Sequence, residues 1–378
     1  MIDGLERVLE GSGQPGLPEL RGLLEELLGG PSAEGSVIEY SVLQPRSMRV
    51  YRVGFDVNGE MRTWIVKRLR PAIAQRNELV VKRWLPAVGL AGLGPSLAGR
   101  VADRHGACVW HVYEDLGPHE LDPCGSSCQG VRAAIEQIAE LHTRFAGHAL
   151  LGEARLHGGD LGMHFFESNV QDAIYALKAC EADGQHQWVR ERLLHRLYKL
   201  REHLPEREQA LKEWAGAETL LHGDLWAINV FLVPGEEGPR ARLIDWDHAA
   251  VGPFSYDLST FLLRFPAARR QSILEHYREA VARLGGWQLP GPAELNSLFE
   301  TAEYARFANR VIWPAIALLM DKADWGFEVL SEIDEWFEQF EPVLPGVAAG
   351  TPDAPPPTPI ATSTHHAIAP CAERREQP

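Results

Sequence analysis

The sequence predicts an α+β protein in which a small antiparallel β lobe is followed by a larger helical lobe. From Val37 onward, apolar segments alternate with turns, and the dipeptide Asn58-Gly59 between two of them is a strong hairpin signal. From Val131 onward, apolar residues recur at helical spacing. One β hairpin, VFLVPGEEGPRARLIDW, interrupts this helical part.

The elements of the β lobe follow from local patterns. Residues 1–30 are predicted to form one or two short helices ending at Gly29-Gly30, and VIEYSVL, RVYRVGFDV and TWIVKRL then form three antiparallel strands. AIAQRNELVVKRWLP is predicted as a helix that Pro86 ends. Two more strands are expected near PSLAGRVADRH and ACVWHVYEDLG. The first long helix after them buries one apolar stripe: Val131, Ile135, Ile138, Leu141 and Phe145.

Composition divides the chain into four predicted parts. Residues 1–34 form an N-terminal helical extension, 35–117 the β lobe and 118–345 the helical lobe. Residues 346–378 are rich in Pro, Thr and Ala and lack apolar periodicity, so this tail is predicted to be disordered.

Charge and composition exclude some classes of protein. The formal net charge is −15, which argues against nucleic acid as a partner because phosphate binding needs a basic face. The sequence contains no run of about 18 apolar residues, so no membrane span is predicted. The N-terminus MIDGLERVLEGSG lacks the basic and apolar regions of a secretion signal. The acidity would suit a cationic small molecule, or colloidal solubility alone.

The cysteines predict a reduced, cytoplasmic protein. There are five, too few and too scattered for a disulfide framework. Cys124 and Cys128 lie four residues apart in PCGSSC, but no second pair completes a zinc site.

Three polar residues lie in a predicted loop between apolar segments, in the sequence LLHGDLWAINVFLV. They are His222, Asp224 and Asn229, and the next strand of the hairpin delivers Asp245 at its end. Asp224, Asn229 and Asp245 could therefore converge at one end of the hairpin. Phosphoryl transfer needs a carboxylate to accept the hydroxyl proton and oxygen ligands to hold Mg2+. A turn with ordinary polar residues is the alternative interpretation.

The spacing H-x-D-x-x-x-x-N is that of a kinase catalytic loop. HGDLWAIN, LIDWD and GPFSYDLSTFL, in this order, resemble the aminoglycoside phosphotransferase and choline kinase-like family of small-molecule kinases. The resemblance covers about residues 35–340 and is strongest over residues 221–265. It implies a two-lobed, protein kinase-like fold with the site in a cleft.

The resemblance assigns a role to each residue of these motifs. Asp224 would be the catalytic base, and Asn229 and Asp245 would ligate Mg2+. His222 would brace the loop. Asp257 would accept backbone N–H groups of the catalytic loop, although it could also cap the helix that it begins.

The resemblance also makes residues 35–117 the nucleotide-binding lobe. Lys67 would bind the α- and β-phosphates of ATP, and Glu78 would pair with Lys67. Glu114 and Leu116 would contact adenine through their backbone groups. A solvated surface lysine and glutamate is the alternative for Lys67 and Glu78.

The turn LQPRSMRV departs from the family pattern because it contains no glycine to let the backbone approach phosphate. Ser47 and one of the cations Arg46 and Arg49 are candidate phosphate contacts, and a plain hairpin turn explains the same residues. Asp247 and His248 are candidates either for facing substrate or for surface positions.

The acceptor site is the least defined. An amine could bind through ion pairs and cation–π contacts to these acidic and aromatic residues: Trp313, Asp321, Asp324, Trp325, Glu328, Glu332 and Glu335. Alternatively, the last segment is an amphipathic helix that packs through one stripe: Trp325, Val329, Ile333, Trp336 and Phe340.

The resemblance implies an ATP- and Mg2+-dependent kinase that phosphorylates a hydroxyl of a small acceptor, and the acidity of the chain would suit a cationic one. The identity of the acceptor and the oligomeric state cannot be predicted. A non-catalytic kinase-like binding module is the main alternative, supported by the turn without glycine. A protein kinase is disfavoured because Gly223 replaces the usual arginine and LIDWD replaces DFG.

Overall fold

The computed structural model describes residues 2–3, 14–29, 35–44, 49–182, 184–236 and 238–347. The chain forms two compact units. The β unit comprises the described residues of 1–121 together with 228–249, and the helical unit comprises 122–227 together with the described residues of 250–372. The hairpin that interrupts the helical sequence thus clusters with the β unit. The boundaries drawn from composition remain predictions.

The β unit is built on one six-stranded sheet with the order β1-β2-β3-β4-β6-β5. The short β1 is parallel to β2, and the other neighbours are antiparallel. All five strands expected in this region are present. The strands are β1 Ile2–Asp3, β2 Gly35–Val42, β3 Val50–Val57, β4 Glu60–Leu69, β5 Leu97–Ala102 and β6 Val109–Glu114.

The turn between β3 and β4 forms where the sequence predicts it. Asn58 and Gly59 both have positive φ, 54° and 81°, as a two-residue type I′ hairpin turn requires. The Gly59 N–H donates to Asp56 Oδ1 at 2.9 Å. This turn sets the register of β4, in which Lys67 lies opposite Val50.

The N-terminal extension packs on one face of the sheet. Helix α1, Leu17–Leu27, buries Leu20 and Leu24 against an apolar cluster that includes Phe55 and Trp110. The Trp110 indole Nε1 donates to the Pro15 carbonyl at 2.9 Å. One face of the sheet is thereby covered.

Helix α2 packs on the opposite face. It spans Pro71–Leu79 and continues through a π-helical turn, Val80–Trp84, into the short helix α3, Leu85–Ala87. The predicted end at Pro86 is wrong by one residue, because proline in the first turn of a helix removes no hydrogen bond. Strand alternation places Lys67 and Leu69 on the α2 side of the sheet, and Leu69 packs with Ala74 of α2.

The hairpin strands and the helical unit complete the fold. The hairpin pairs β8, Val230–Val233, with β9, Arg240–Leu243. In the helical unit, β7, Thr219–Leu221, pairs with β10, Ala250–Gly252. The helices of this unit are α4 Cys128–Phe145, α5 Leu151–Gly158, α6 Met163–Ala179, α7 Gly184–Glu202, α8 Leu204–Trp214, α9 Ser255–Leu263, α10 Ala267–Arg283, α11 Pro292–Met320 and α12 Trp325–Gln339.

The predicted stripe of α4 is confirmed, and the predicted stripe of α12 is confirmed except for its first residue, Trp325. All five predicted residues of α4 are buried. The stripe residues of α12 that pack are Val329, Ile333, Trp336 and Phe340, and Leu330 and Phe337 are buried beside them. Trp325 is 38% exposed. Two arginines of α7, Arg192 and Arg196, form ion pairs of 2.9 Å with Asp334. This acid therefore lies on the side of α12 that packs against α7.

The disordered tail predicted for residues 346–378 lies outside the described residues, except for Gly346 and Val347. In the part of the chain that is described, no helix combines the length and the apolar character needed to cross a membrane.

Candidate active site

Lys67 forms the centre of a charged cluster in the β unit. Its Nζ lies 2.6 Å from Asp245 Oδ1 and 2.8 Å from Asp247 Oδ1. Its side chain is only 12% exposed. Burial alone would lower the pKa of Lys67, but the charges and hydrogen bonds of the two aspartates more than offset it and raise this pKa above its usual value. The lysine is therefore a fixed positive charge.

Asp245 adopts an unusual backbone conformation at the end of β9. Its φ of 65° lies in the left-handed region, which aspartate tolerates better than most residues but which still costs roughly 1–2 kcal/mol. The chain then enters the 3-10 turn Trp246–His248. Backbone strain of this kind is often found at functional sites. Here it accompanies the contact between Asp245 and Lys67.

Asn229 lies beside Asp245 at the same end of the hairpin. Its carbonyl accepts the N–H of Ile244 at 2.9 Å, directly before Asp245. Its side chain is buried, with 2% exposed. The structure thus brings together two of the three residues whose convergence the sequence predicts. A carboxamide and a carboxylate are both hard oxygen donors of the kind that Mg2+ prefers.

Asp247 faces the same cluster and therefore does not take the surface position that was one alternative for it. Its Oδ1 accepts from Lys67 and, at 2.9 Å, from Asn77 Nδ2, and its carbonyl accepts from Arg76. Burial raises the pKa of Asp247, and the charge of Asp245 adds to this effect, while Lys67 lowers the pKa. Asp247 is therefore an integral member of the cluster.

The predicted ion pair between Lys67 and Glu78 does not form in this structure. Glu78 instead pairs with Lys82 at 3.4 Å and with Arg100 at 3.1 Å. Successive helical residues point about 100° apart, and in α2 it is Asn77 that is turned towards the cluster. Asn77 is a site residue that the sequence reasoning missed, and only the rotation of the helix identifies it.

Two further residues near Lys67, His111 and Tyr113, were not predicted from the sequence. His111 lies opposite Lys67 in the sheet, and its Nδ1 is 2.8 Å from the hydroxyl of Tyr113. Burial lowers the pKa of His111 to about 3, and the charge of Lys67 contributes, so the ring is neutral. The alternation of VWHVYE could have indicated this face, because residues two apart in a strand share a side.

The segment after β6 is held by hydrogen bonds on both sides of the predicted adenine contacts. Glu114 Oε1 accepts the N–H of Ser96 at 2.6 Å. Asp115 Oδ1 accepts from Arg52 at 2.8 Å and from the N–H of Gly117 at 3.0 Å. Within the described residues, the N–H of Leu116 donates to no protein group. The segment thus presents a fixed backbone at Glu114 and Leu116.

In the helical unit, Asp257 holds the loop that carries Asp224. Its two carboxylate oxygens accept the N–H groups of His222 at 2.6 Å and Gly223 at 2.9 Å. Burial alone would raise the pKa of Asp257, but the hydrogen bond and charge of His142 outweigh it and the pKa lies below its usual value. Asp257 is therefore a buried carboxylate anion.

The alternative function proposed for Asp257, an N-cap, is wrong. Helix α9 begins at Ser255, and its N-cap residue is Phe254. Asp257 lies inside the first turn and is fully buried, and its side chain turns to the loop rather than to its own helix. Gly223 has a φ of 81°, which a residue with a side chain adopts only with strain.

The geometry around His222 agrees with the bracing role suggested for it. The imidazole is buried, and its Nδ1 accepts weakly from the N–H of Asp224 at 3.4 Å. The carbonyl of Asp224 accepts the N–H of Trp226 at 2.9 Å. Asp224 itself is only partly buried. The loop is thus rigid in its backbone while its central carboxylate remains accessible.

The remaining candidates are more scattered. Arg46 and Ser47 lie outside the described residues, and Arg49 accepts the N–H of Arg68 through its carbonyl at 2.8 Å. Trp313 is 59% exposed, as is typical of a surface residue. The acidic candidates at the end of α11 and along α12 are exposed or half-buried: Asp321, Asp324, Glu328, Glu332 and Glu335.

The fold is shared with solved structures of phosphotransferases. An aminoglycoside 2'-phosphotransferase-IIIa in a GDP complex is 16% identical, with 85% of this chain and 99% of that chain covered and a TM-score of 0.51. A spectinomycin phosphotransferase in complex with ADP and spectinomycin is 12% identical (82% and 90% covered, TM-score 0.51). An ethanolamine kinase of Plasmodium vivax is also 12% identical (78% and 81% covered, TM-score 0.50). These similarities confirm the two-lobed, protein kinase-like fold.

Sequence comparison defines the family. A search of curated proteins gives no match. The model of a family described as the phosphotransferase enzyme family matches residues 43–296, which include Lys67, Asp224, Asn229, Asp245 and Asp257. The chain therefore belongs to the phosphotransferase enzyme family.

Proposed function

We propose that this phosphotransferase is an ATP- and Mg2+-dependent kinase that transfers the γ-phosphoryl group to a hydroxyl of a small molecule. The observation that carries the proposal is the contact of 2.6 Å between Lys67 and Asp245. A cation for phosphate oxygens and a carboxylate for a metal ion are two parts that phosphoryl transfer requires side by side. Two of the similar proteins were determined with GDP or ADP, which supports the use of a nucleotide.

The residues at the end of the hairpin fit Mg2+. The ion prefers oxygen ligands and usually takes one or two carboxylates from the protein, leaving its other positions to phosphate and water. Asp245 and the carboxamide oxygen of Asn229 would hold it. When bound, Mg2+ would neutralise negative charge on the phosphates.

Lys67 would bind phosphate oxygens of the nucleotide. Its charge is fixed and its side chain is mostly buried, so little entropy is lost when it binds. Asn77 and Arg76 hold Asp247 in place through its carboxylate and carbonyl. Asp247 would in turn keep the ammonium group of Lys67 aimed at the phosphates.

Adenine would bind to backbone groups of Glu114, the last residue of β6, and of Leu116. The carbonyl of Glu114 would accept from the adenine amino group, and the N–H of Leu116 would donate to the ring. The bonds at Asp115 fix this segment in advance, which lowers the ordering cost of nucleotide binding.

Asp224 would be the catalytic base. The acceptor oxygen forms a bond to the γ-phosphorus, the bond from that phosphorus to the ADP oxygen breaks, and the hydroxyl proton passes to the Asp224 carboxylate. Asp257 would hold the loop through the N–H groups of His222 and Gly223 so that this carboxylate keeps its orientation. Free thiols at Cys108, Cys124, Cys128 and Cys180 support a cytoplasmic location as part of the proposal.

A phosphate-transfer screen tests the proposed function. The full chain would be mixed with ATP or GTP labelled at the γ-phosphate, Mg2+ and a panel of amino alcohols, aminoglycosides, sugars, sugar acids and nucleosides. Asp224→Asn preserves the shape of the side chain but removes the base, and we expect it to lower the rate by roughly 10²–10⁴-fold. Asp172→Asn, at an exposed position of the same unit, is the matched control.

Three outcomes are informative. Product formed by the native protein and by Asp172→Asn, but not by Asp224→Asn, supports the proposal and gives the acceptor class. Undiminished transfer by Asp224→Asn refutes the role of Asp224. Tight binding of Mg-ATP without transfer to any acceptor favours a kinase-like binding module instead.

A further inference from the structure

Arg264 lies over the ring of Trp226, close to the proposed base in the helical unit. Its guanidinium carbon is 3.8 Å from the ring centroid. Trp226 is two residues beyond Asp224 and donates its N–H to the Asp224 carbonyl. Arg264 directly follows α9, the helix whose Asp257 holds the same loop. Arg264 and Asp224 are therefore fixed to one another through a short, rigid path.

Arg264 has no anionic partner among the described residues. Its Nε is buried without a hydrogen-bond acceptor, and its guanidinium group lies over the ring of Trp226. Burial is the main cause that lowers its pKa. The carboxylates of Glu303 and Asp224 offset part of this effect, while the charges of Arg306 and Arg310 add to it. The guanidinium thus lies where its charge is poorly solvated.

A neighbouring arginine shows how this fold satisfies a guanidinium when the purpose is structural. Arg306 lies 3.6 Å from the ring centroid of Tyr256, donates to Ser259 Oγ at 3.2 Å and forms an ion pair with Glu303. These contacts match the donors of Arg306 to acceptors of the protein. Arg264, in the same region, has an aromatic ring but no acceptor.

A second arginine without an ion pair, Arg310, lies near Arg306. Arg310 lies one helical turn beyond Arg306 on α11, 5.5 Å from the ring centroid of Trp336. The part of the chain that is described contains no ion pair of either Arg264 or Arg310. The carboxylate of Glu303 is paired with Arg306 and is therefore not the partner of Arg264.

A partly buried charge without a partner is costly in free energy. A carboxylate or a phosphate removes this cost, because the planar guanidinium can donate two parallel hydrogen bonds to its oxygens. Arg264 itself therefore favours an anionic group of the acceptor over a cationic one.

We propose that the acceptor carries a carboxylate or phosphate group besides its hydroxyl, and that Arg264 binds this group while the body of the acceptor packs on Trp226. The proposal rests on the proposed kinase function and specifies its substrate class. The same anionic chemistry could come from the γ-phosphate of the nucleotide, so the test separates the two sources.

Matched pairs of acceptors test the proposal. Three pairs of acceptors are used: glycerate and glycerol, gluconate and glucose, and serine and ethanolamine. In each pair the first member carries a carboxylate, which the second lacks or has replaced by a neutral group. Each would be offered with Mg-ATP to the native protein, Arg264→Gln, Arg264→Lys and the control Arg269→Gln. Arg269 stacks on Phe265 at 5.7 Å and donates to a protein carbonyl, so it resembles Arg264 but is satisfied within the protein.

We expect the native protein to prefer the acid of at least one pair by about tenfold or more in kcat/KM, as a charge-assisted hydrogen bond implies. Arg264→Gln should abolish this preference by raising KM for the acid, Arg264→Lys should restore part of it, and KM for ATP should not change. Preference for the neutral or amine member overturns the proposal. So does a rise in KM for ATP alone, which would assign the anion to the nucleotide.

Binding without turnover keeps the two proposals separable. Inorganic phosphate and gluconate would be titrated calorimetrically into nucleotide-free native protein, Arg264→Gln and Arg269→Gln. A binding heat that is present in the native protein and in Arg269→Gln but absent in Arg264→Gln supports the anion site. If no acceptor is phosphorylated in that case, only the kinase function fails. Equal heats in all three proteins, together with no preference for acids in turnover, refute the anion site.

Discussion

Replacing Asp257 by asparagine removes the charge that holds the loop carrying Asp224. The native carboxylate accepts two N–H groups, from His222 at 2.6 Å and Gly223 at 2.9 Å, and is fully buried. An asparagine keeps one acceptor oxygen, but its NH2 group faces the second N–H. The substitution therefore loses one hydrogen bond to a charged group and leaves a buried donor unsatisfied.

The magnitude follows from these two losses. A hydrogen bond to a charged group contributes about 1.5–3 kcal/mol, and an unsatisfied buried donor costs about 1–3 kcal/mol. We therefore expect Asp257→Asn to lower the free energy of unfolding by about 3–5 kcal/mol, as for other broken buried pairs. If the loop shifts by 1 Å, kcat should fall by about 10²-fold.

Urea unfolding and steady-state kinetics at several pH values measure these effects. The pKa of Asp257 is lowered in the fold, so its contribution to stability is fully present above its unfolded value of about 3.9 and is lost as pH falls through the folded value. The difference between native and variant should thus be constant from about pH 5 to 8 and shrink below about pH 4.

A partly exposed aspartate provides the control. Asp160 accepts the N–H of Gly162 at 2.7 Å and pairs with Arg155, with 27% of its side chain exposed. Asp160→Asn should cost about 1 kcal/mol or less. If Asp257→Asn costs no more than this control and leaves kcat unchanged, the claim that Asp257 holds the catalytic loop is refuted.

Three further predictions concern the β unit. Lys67→Met should raise the Kd for Mg-ATP at least about tenfold, measured by calorimetry, since it removes a charge-assisted contact to phosphate; an unchanged Kd would contradict this. Asn77→Leu should lower kcat/KM for ATP more than Glu78→Gln, because Asn77 holds Asp247; the reverse order would show that Glu78 is the residue that acts on Lys67. His111 has a folded pKa of about 3, so stability should fall as pH drops below the unfolded value of about 6.5. In His111→Phe this loss between pH 6.5 and 5 should be smaller by about 2 kcal/mol in urea unfolding, and an equal loss would contradict the burial of a neutral ring.

Short-range signals predicted the strands and the position of the motifs well. The pair Asn58-Gly59 formed its hairpin because a two-residue turn with positive φ at both positions suits few other residues. Asn229 and Asp245 came together because Asn229 directly precedes β8 and Asp245 follows β9, the two paired strands of one hairpin. In both cases the decisive contacts join residues that are close in sequence.

Features that depend on the rotation of a helix were not predictable in the same way. Whether Asn77 or Glu78 faces Lys67 depends on how α2 packs on the sheet, and the two residues differ by one position. Periodicity predicted most of the packed stripe of α12 but not the burial of Asp334, an acid that pairs with arginines from another helix. Sequence periodicity treats such an acid as exposed.

The sequence motifs did not predict the stacking of Arg264 on Trp226. The two residues are 38 positions apart, and Trp226 occupies a variable position, x, of the pattern H-x-D-x-x-x-x-N. Only the fold places α9 against the catalytic loop. The unpaired state of Arg264 can be recognised only once its surroundings are known.

The packing of α1 on the sheet has a consequence for truncated forms of the protein. The family match begins at residue 43, so a chain trimmed to it would lose the helix that covers Phe55 and Trp110. The three leucines buried there, Leu20, Leu24 and Leu28, contribute roughly 1.5–3 kcal/mol each. A catalytic core cut at the family boundary would thus expose an apolar sheet face and aggregate, even though it keeps every proposed active-site residue.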